Sequence, residues 1–222
     1  MSRELQHRKA PFLRLCLAAL LLFPGTKELS LAHQQPRDAT GARQPEARPE
    51  PVYHGGLVTP PVPKPRFTLT DTSGKPFDFW SGTDGYITLL FFGYTHCTNV
   101  CPVQMSYVAS ALKKLPKDVA GRFRVVFVTT DSAHDNPRML RTWLNQFDKD
   151  FIGLTGTEAA LEAAQVAAHV PFSKGNPDGG HAAFVLAYTT DNLAHVIYPV
   201  GISEADLVHD LPQLARETWS SR

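Results

Sequence analysis

The sequence predicts an α/β domain: a central mixed sheet flanked by helices, with an N-terminal hairpin extension. Three observations predict it. Two short and almost wholly apolar runs, at 87–92 and 124–129, have the length and composition of strands buried on both faces. Each is followed by apolar residues at helical spacing: Cys101, Met105, Val108, Leu112 and Leu115 after the first, then Leu140, Trp143, Leu144 and Phe147 after the second. Alternating strands and helices give parallel strands joined by crossover helices.

The elements follow in order. Residues 67–70 and 77–80 alternate apolar and polar around the turn Asp71-Thr72-Ser73-Gly74, which reads as a hairpin. Gly85 bounds the central strand, which ends at Phe92. A helix over 102–115 opens on Pro102, a residue tolerated in a helix's first turn. After the strand at 124–129, residues 137–147 form the next helix and Phe151-Ile152-Gly153-Leu154 a short strand. Thr155-Gly156-Thr157-Glu158 resembles a capping box leading into an Ala-rich helix, 158–169. A loop containing Gly and Pro, 171–180, precedes two strands, 182–188 and 193–198, joined by Thr190-Asp191-Asn192. Ser203 caps a final helix carrying Leu207 and Leu211, which Pro212 kinks or restarts. This order matches a thioredoxin-like domain, expected over 66–222.

The rest of the 222 residues lies upstream. A net charge of +1 gives no electrostatic footprint for nucleic acid, and 43% hydrophobic content suits one globular domain with added segments. Residues 1–32 read as a signal peptide or membrane anchor: Arg3, Arg8, Lys9 and Arg14 precede a nine-residue apolar core at 15–23, and Ser30-Leu31-Ala32 supplies small residues for cleavage. The core is shorter than the roughly 20 residues a bilayer requires. Cleavage after Ala32 would remove Cys16 and leave Cys97 and Cys101. Residues 33–65, with eight prolines and few large apolar residues, read as a flexible tether in which His33 and His54 are solvated.

The chemistry centres on Phe92-Gly93-Tyr94-Thr95-His96-Cys97-Thr98-Asn99-Val100-Cys101-Pro102. Residues four apart share a helical face, so Cys97 and Cys101 meet if the first turn is helical or nearly so. Unpaired amides at a helix N-terminus favour thiolate. Such a pair closes a disulfide, catalytic or merely structural, or binds a soft metal. His96 is a candidate third ligand or a neighbour of the metal, although successive side chains diverge. Reactive groups in open α/β sheets gather beyond the carboxyl ends of the strands, which is where Cys97, Asp131 and the loop before Ala182 fall. His181, 80 residues beyond Cys101, ends that loop, and Gly179 and Gly180 allow a close backbone approach; a surface histidine is the plain alternative. Two thiolates and an imidazole suit Cu(I) and adapt to Cu(II). Asp131 and Asp135 either hydrogen-bond around the site or serve as turn residues or a cap for the helix at Pro137. His134, His169, His195 and His209 lack a partner pattern and read as surface or structural. Met105 belongs to the apolar stripe.

The cysteine segment resembles the copper-site motif of the SCO/SenC family. So do Val128-Thr129-Thr130-Asp131 with Asp135-Asn136-Pro137, Gly153-Leu154-Thr155-Gly156, and the stretches 187–191 and 198–201. The resemblance covers roughly residues 66–215. It implies a thioredoxin-like copper chaperone with Cys97, Cys101 and His181 as ligands, and Cys97 and Cys101 as a redox disulfide. It also implies delivery of copper to the CuA centre of cytochrome c oxidase. The partners implied are that enzyme's copper-binding subunit or another copper protein, and a thioredoxin-like reductant. The implied location is periplasmic, after secretion across the inner membrane, with or without anchoring through the N-terminus. The sequence departs from the family in carrying Thr98-Asn99 between the cysteines, where Pro-Asp or Pro-Glu is frequent, and in flanking His181 with Gly180 and Ala182. The competing reading is an enzyme, a thiol–disulfide oxidoreductase, although dedicated members use a two-residue spacer and this chain has three. A structural zinc site wants four ligands, and only three converge. A peroxidase wants a lone cysteine of low pKa.

Overall fold

The structure, a computed structural model, describes residues 53–171, 184–217 and 219. Its centre is β4 (Ile87–Gly93), buried along its whole length. β5 (Phe123–Thr129) runs parallel to it on one side, and β6 (Ile152–Thr155) lies parallel beyond β5. On the other side β7 (Phe184–Tyr188) pairs antiparallel with β4, and β8 (Leu193–Pro199) with β7. The hairpin β2 (Thr68–Asp71) and β3 (Pro76–Asp78) joins the sheet through β6. β1 (Gly56–Pro63) closes the opposite edge against β8. The order across the mixed sheet is β1-β8-β7-β4-β5-β6-β2-β3, the thioredoxin-like arrangement with a hairpin extension.

Alternate residues of the central strands serve two cores, which is why those strands read as unbroken apolar runs. Ile87, Leu89 and Phe91 of β4 and Val125 and Phe127 of β5 face one side. There they meet α2 (Val100–Lys114), α4 (Pro137–Leu144) and α6 (Glu204–Arg216). Leu90, Phe92, Val126 and Val128 face the other, against α5 (Glu158–Ala167) and Phe79 of the single-turn α1 (Phe79–Gly82). A further single turn, α3 (Lys117–Ala120), leads into β5.

Four expectations change. The strand expected at 77–80 stops at Asp78, because the Asp78 carboxylate accepts the Ser81 N–H at 2.8 Å and so caps α1. The capping box expected at 155–158 is not formed: Thr157 caps α5, while Thr155 ends β6 and donates its hydroxyl to the Asp135 carbonyl at 2.9 Å. α6 passes through Pro212 without restarting, and its capping box is Ser203 with Asp206.

The fourth change is the largest. Gly56–Pro63, expected within the flexible tether, forms an edge strand, so the folded domain begins before Arg66. Prolines are admitted on an edge, where a missing N–H breaks no ladder. Here Pro60 and Pro61 fall within the break in register between Leu57 and Val62. The strand is pinned at its start, where the His54 and Gly55 N–H groups donate to the two oxygens of Asp210 at 3.0 and 2.9 Å. Asp210 lies on α6 and is fully buried. His54 is exposed, as expected, but it also pairs its Nδ1 with Asp206 at 2.8 Å and stacks on His209. The expected signal segment, 1–32, lies outside the described residues, as does most of the tether. Among the described residues no helix is long and apolar enough to cross a membrane.

Removing the Asp210 carboxylate would leave two inward-facing amides without acceptors. Asp210→Ala is expected to cost about 2–4 kcal/mol in urea unfolding. It should also speed hydrogen exchange in β1 and β8 ahead of β5. Exchange unchanged in β1 would show that the strand is held by other contacts.

Candidate metal centre

The site begins at the carboxyl end of β4. Gly93 ends that strand, and its carbonyl accepts the Thr130 N–H at 2.7 Å, joining it to the end of β5. A Cβ on Gly93 would lie 2.8 Å from Cys101 Sγ and 2.7 Å from the Phe91 ring, so the sulfur occupies the space that any side chain would need. The chain then turns through residues 94–99 into α2. Cys101 is the second residue of α2 and Pro102 the third, where a missing N–H breaks no intrahelical bond.

The two thiols meet, but not as neighbours on one helical face. Cys97 precedes the helix. Asn99 at the N-cap makes no side-chain capping bond, and Cys97 Sγ accepts the Cys101 N–H at 3.4 Å in place of a capping oxygen. Burial opposes charge on Cys97, which is only half-buried. The amides of Cys101, Asn99 and Val100, with the Cys101 thiol, outweigh it and lower its pKa. Hydrogen bonds to a charged acceptor contribute roughly 1.5–3 kcal/mol each, enough for two or three to prevail at a half-exposed atom. At Cys101, only 1% exposed, burial dominates. Together with the charges of Cys97 and Asp135 it pushes that thiol up to about 12, the Tyr94 amide offsetting part of the rise. Of the two thiols, Cys97 is therefore the one that gives up its proton more readily.

Asp135 is fully buried. Its carboxylate accepts the Thr95 N–H at 2.9 Å, the Thr95 hydroxyl at 2.5 Å and the Thr129 hydroxyl at 2.6 Å. It therefore ties the cysteine turn to the end of β5. It does not cap α4; Asn136 does, accepting the Met139 N–H at 3.0 Å. Asp131 is no cap for α4 either. Its Oδ1 closes a turn onto the Ala133 and His134 amides, and its Oδ2 faces two imidazoles, His134 Nδ1 at 2.7 Å and His96 Nε2 at 3.5 Å. His96 thus points to Asp131, with its ring against Tyr94 at 4.5 Å between centroids.

Of the residues singled out from the sequence, Cys97, Cys101, Asp135, Asp131 and His96 cluster at this end of the sheet. His181 lies outside the described residues. Met105 is fully buried in the core, as expected. His195, read as surface or structural, pairs with Asp191 at 2.8 Å, and His169 takes a left-handed turn after α5 with φ 56°. Sequence reasoning missed Gly93, Thr95 and Thr129, and it set His134 aside. Hydroxyl residues after two consecutive buried strands, with an aspartate just beyond, were the available signal.

The geometry agrees with the comparisons to known proteins. The SCO1/SenC family model matches residues 59–216. A mitochondrial SCO1 homolog 2 of Arabidopsis thaliana is 35% identical over 116 residues, which are 51% of this chain and 41% of that protein. The matched stretches span 30% to 60% of the first curated relatives' own lengths. Among solved structures, Bradyrhizobium japonicum ScoI with copper bound is 27% identical, with a TM-score of 0.58 over 69% of this chain and 99% of that one. Apo Sco1 of Thermus thermophilus is 28% identical, with a TM-score of 0.65 over 75% of this chain and 99% of that one. The matched region runs from the edge strand β1 to the end of α6 and contains the whole cysteine turn, so this chain belongs to the SCO1/SenC family.

Proposed function

We propose that this chain carries copper outside the cytoplasm and delivers it to the CuA centre of cytochrome c oxidase, holding it through Cys97, Cys101 and His181. The observation that carries the reading is the pair of free thiols within hydrogen-bond reach at the start of α2, one half-exposed with a lowered pKa, the other buried with a raised one. A soft ion arriving at the Cys97 thiolate displaces the Cys101 proton, and the second sulfur then binds. An imidazole from the loop before β7 completes a three-coordinate set. Support also comes from the ScoI relative, solved with copper bound.

Release follows from the same pair. When the two thiolates exchange with a partner's disulfide, the Cys97–Cys101 disulfide forms, the partner's S–S bond is reduced to two thiols, and copper, having lost both sulfur ligands, leaves for a partner's ligands. A thioredoxin-like reductant returns two electrons and two protons to restore the site. Beside the turn, Asn99, Val103, Tyr107 and Val200 line a shallow groove where exposed Val103 and Val200 give a partner an apolar foothold. Export is supported by the basic segment and apolar core within 1–32. The asymmetry of the thiols also favours a second reading, a thiol–disulfide oxidoreductase acting on a copper protein's cysteines. Rapid metal-free insulin reduction would select that reading.

Cys97→Ala, Cys101→Ala and His181→Ala are each expected to weaken copper binding at least tenfold, read by competition with a chelator of known affinity. Parent-like binding by His181→Ala would remove that residue from the ligand set. Thiolate-to-copper absorption should vanish on oxidation. Gly93→Ala, by displacing the Cys101 sulfur, should weaken copper binding with all three ligands still present. Alkylation should modify Cys97 well before Cys101, since the pKa of Cys97 is lowered whereas that of Cys101 is pushed up to about 12. The rate should rise through a lower pH in the folded chain than in urea. Equal rates at both cysteines would refute the assigned asymmetry.

A further inference from the structure

We infer that His96, Asp131 and His134 form a second metal site, distinct from the cysteine pair and suited to a borderline divalent cation such as Cu(II) or Zn(II). The His96 Nε2, His134 Nδ1 and one Asp131 carboxylate oxygen all lie within 4.8 Å of one another. Both nitrogens converge on Asp131 Oδ2, at 3.5 and 2.7 Å. A tetrahedral ion with bonds of about 2.0–2.1 Å holds its ligand atoms about 3.3 Å apart, a value the two distances bracket. An N,N,O set without sulfur disfavours Cu(I) and suits Cu(II) and Zn(II), with Cu(II) preferred among divalent ions.

The vertex is held in place before any ion arrives. The Asp131 N–H donates to the Thr129 hydroxyl at 3.0 Å, and that hydroxyl in turn donates to buried Asp135. Asp131 Oδ1 is occupied by two backbone amides, which leaves Oδ2 to the imidazoles. The Tyr94 ring lies against His96. The Asp131 side chain is only 10% exposed, whereas the two histidines are 48% and 71% exposed, so an ion enters from solvent and water can complete its coordination.

The other such histidine cluster among the described residues, His54, His209 and Asp210, differs in just these respects. Both Asp210 oxygens already accept backbone amides, and the two imidazoles stack face to face at 4.0 Å and 7°. That cluster is a structural pin and supplies the control.

The test uses the full chain as Cys97→Ser/Cys101→Ser, which removes the sulfur ligands and makes the result independent of the copper reading above. Titrated with Cu(II) alone, it is expected to bind one equivalent with two imidazole nitrogens visible by electron paramagnetic resonance. His96→Ala and His134→Ala should each weaken that binding at least tenfold, while His209→Ala leaves it unchanged. Thermal melts verify folding in every variant. The oxidised native chain, its sulfurs joined in a disulfide, gives the same comparison without the serine substitutions. Absence of binding, parent-like binding by His134→Ala, or an equal loss in His209→Ala would overturn the assignment.

Discussion

A single buried carboxylate organises the functional end of this molecule. Asp135 receives an amide and a hydroxyl from Thr95 and a hydroxyl from Thr129, and its own carbonyl receives the Thr155 hydroxyl. Those residues follow or end β4, β5 and β6, so one residue gathers the carboxyl ends of three neighbouring parallel strands, two through its carboxylate and the third through its carbonyl. A buried carboxylate is tolerated only when its oxygens are satisfied, and here the requirement is met by the groups that need positioning. The cysteine turn is thereby anchored to the sheet rather than left as a free loop.

On that anchored turn the two sulfurs are differentiated by position alone. Cys97 stands outside the helix and collects its unpaired amides; Cys101 stands inside and packs against the core beside Gly93. Identical side chains thus acquire opposite proton affinities, because amide donors prevail at the half-exposed atom and desolvation prevails at the buried one. The arrangement provides one group ready to engage an incoming soft ion or disulfide and a second that joins only after the first has reacted.

The opposite edge of the sheet uses the same device for a different purpose. Asp210, fully buried on α6, accepts two amides from the start of β1 and holds a proline-rich segment as an edge strand. Both aspartates join elements distant in sequence. One fixes the reactive turn, and the other fixes where the folded domain begins.

Much of this was legible in the sequence, for local reasons. Buried parallel strands announce themselves as apolar runs, helices by their stripe, and the thiols by their place between strand and helix; these depend on neighbours a few residues apart. What tertiary structure decided depends on partners far along the chain. The prolines of 56–63 read as a tether until β8 is seen to offer an edge, and Asp135 stands undecided between site neighbour, helix cap and turn residue until Thr95 and Thr129 arrive beside it. His134 looks like an ordinary surface residue until the turn brings it and His96 to the same oxygen of Asp131. Periodicity records which face of an element is buried, but the partners of a buried or shared polar group are chosen by the fold.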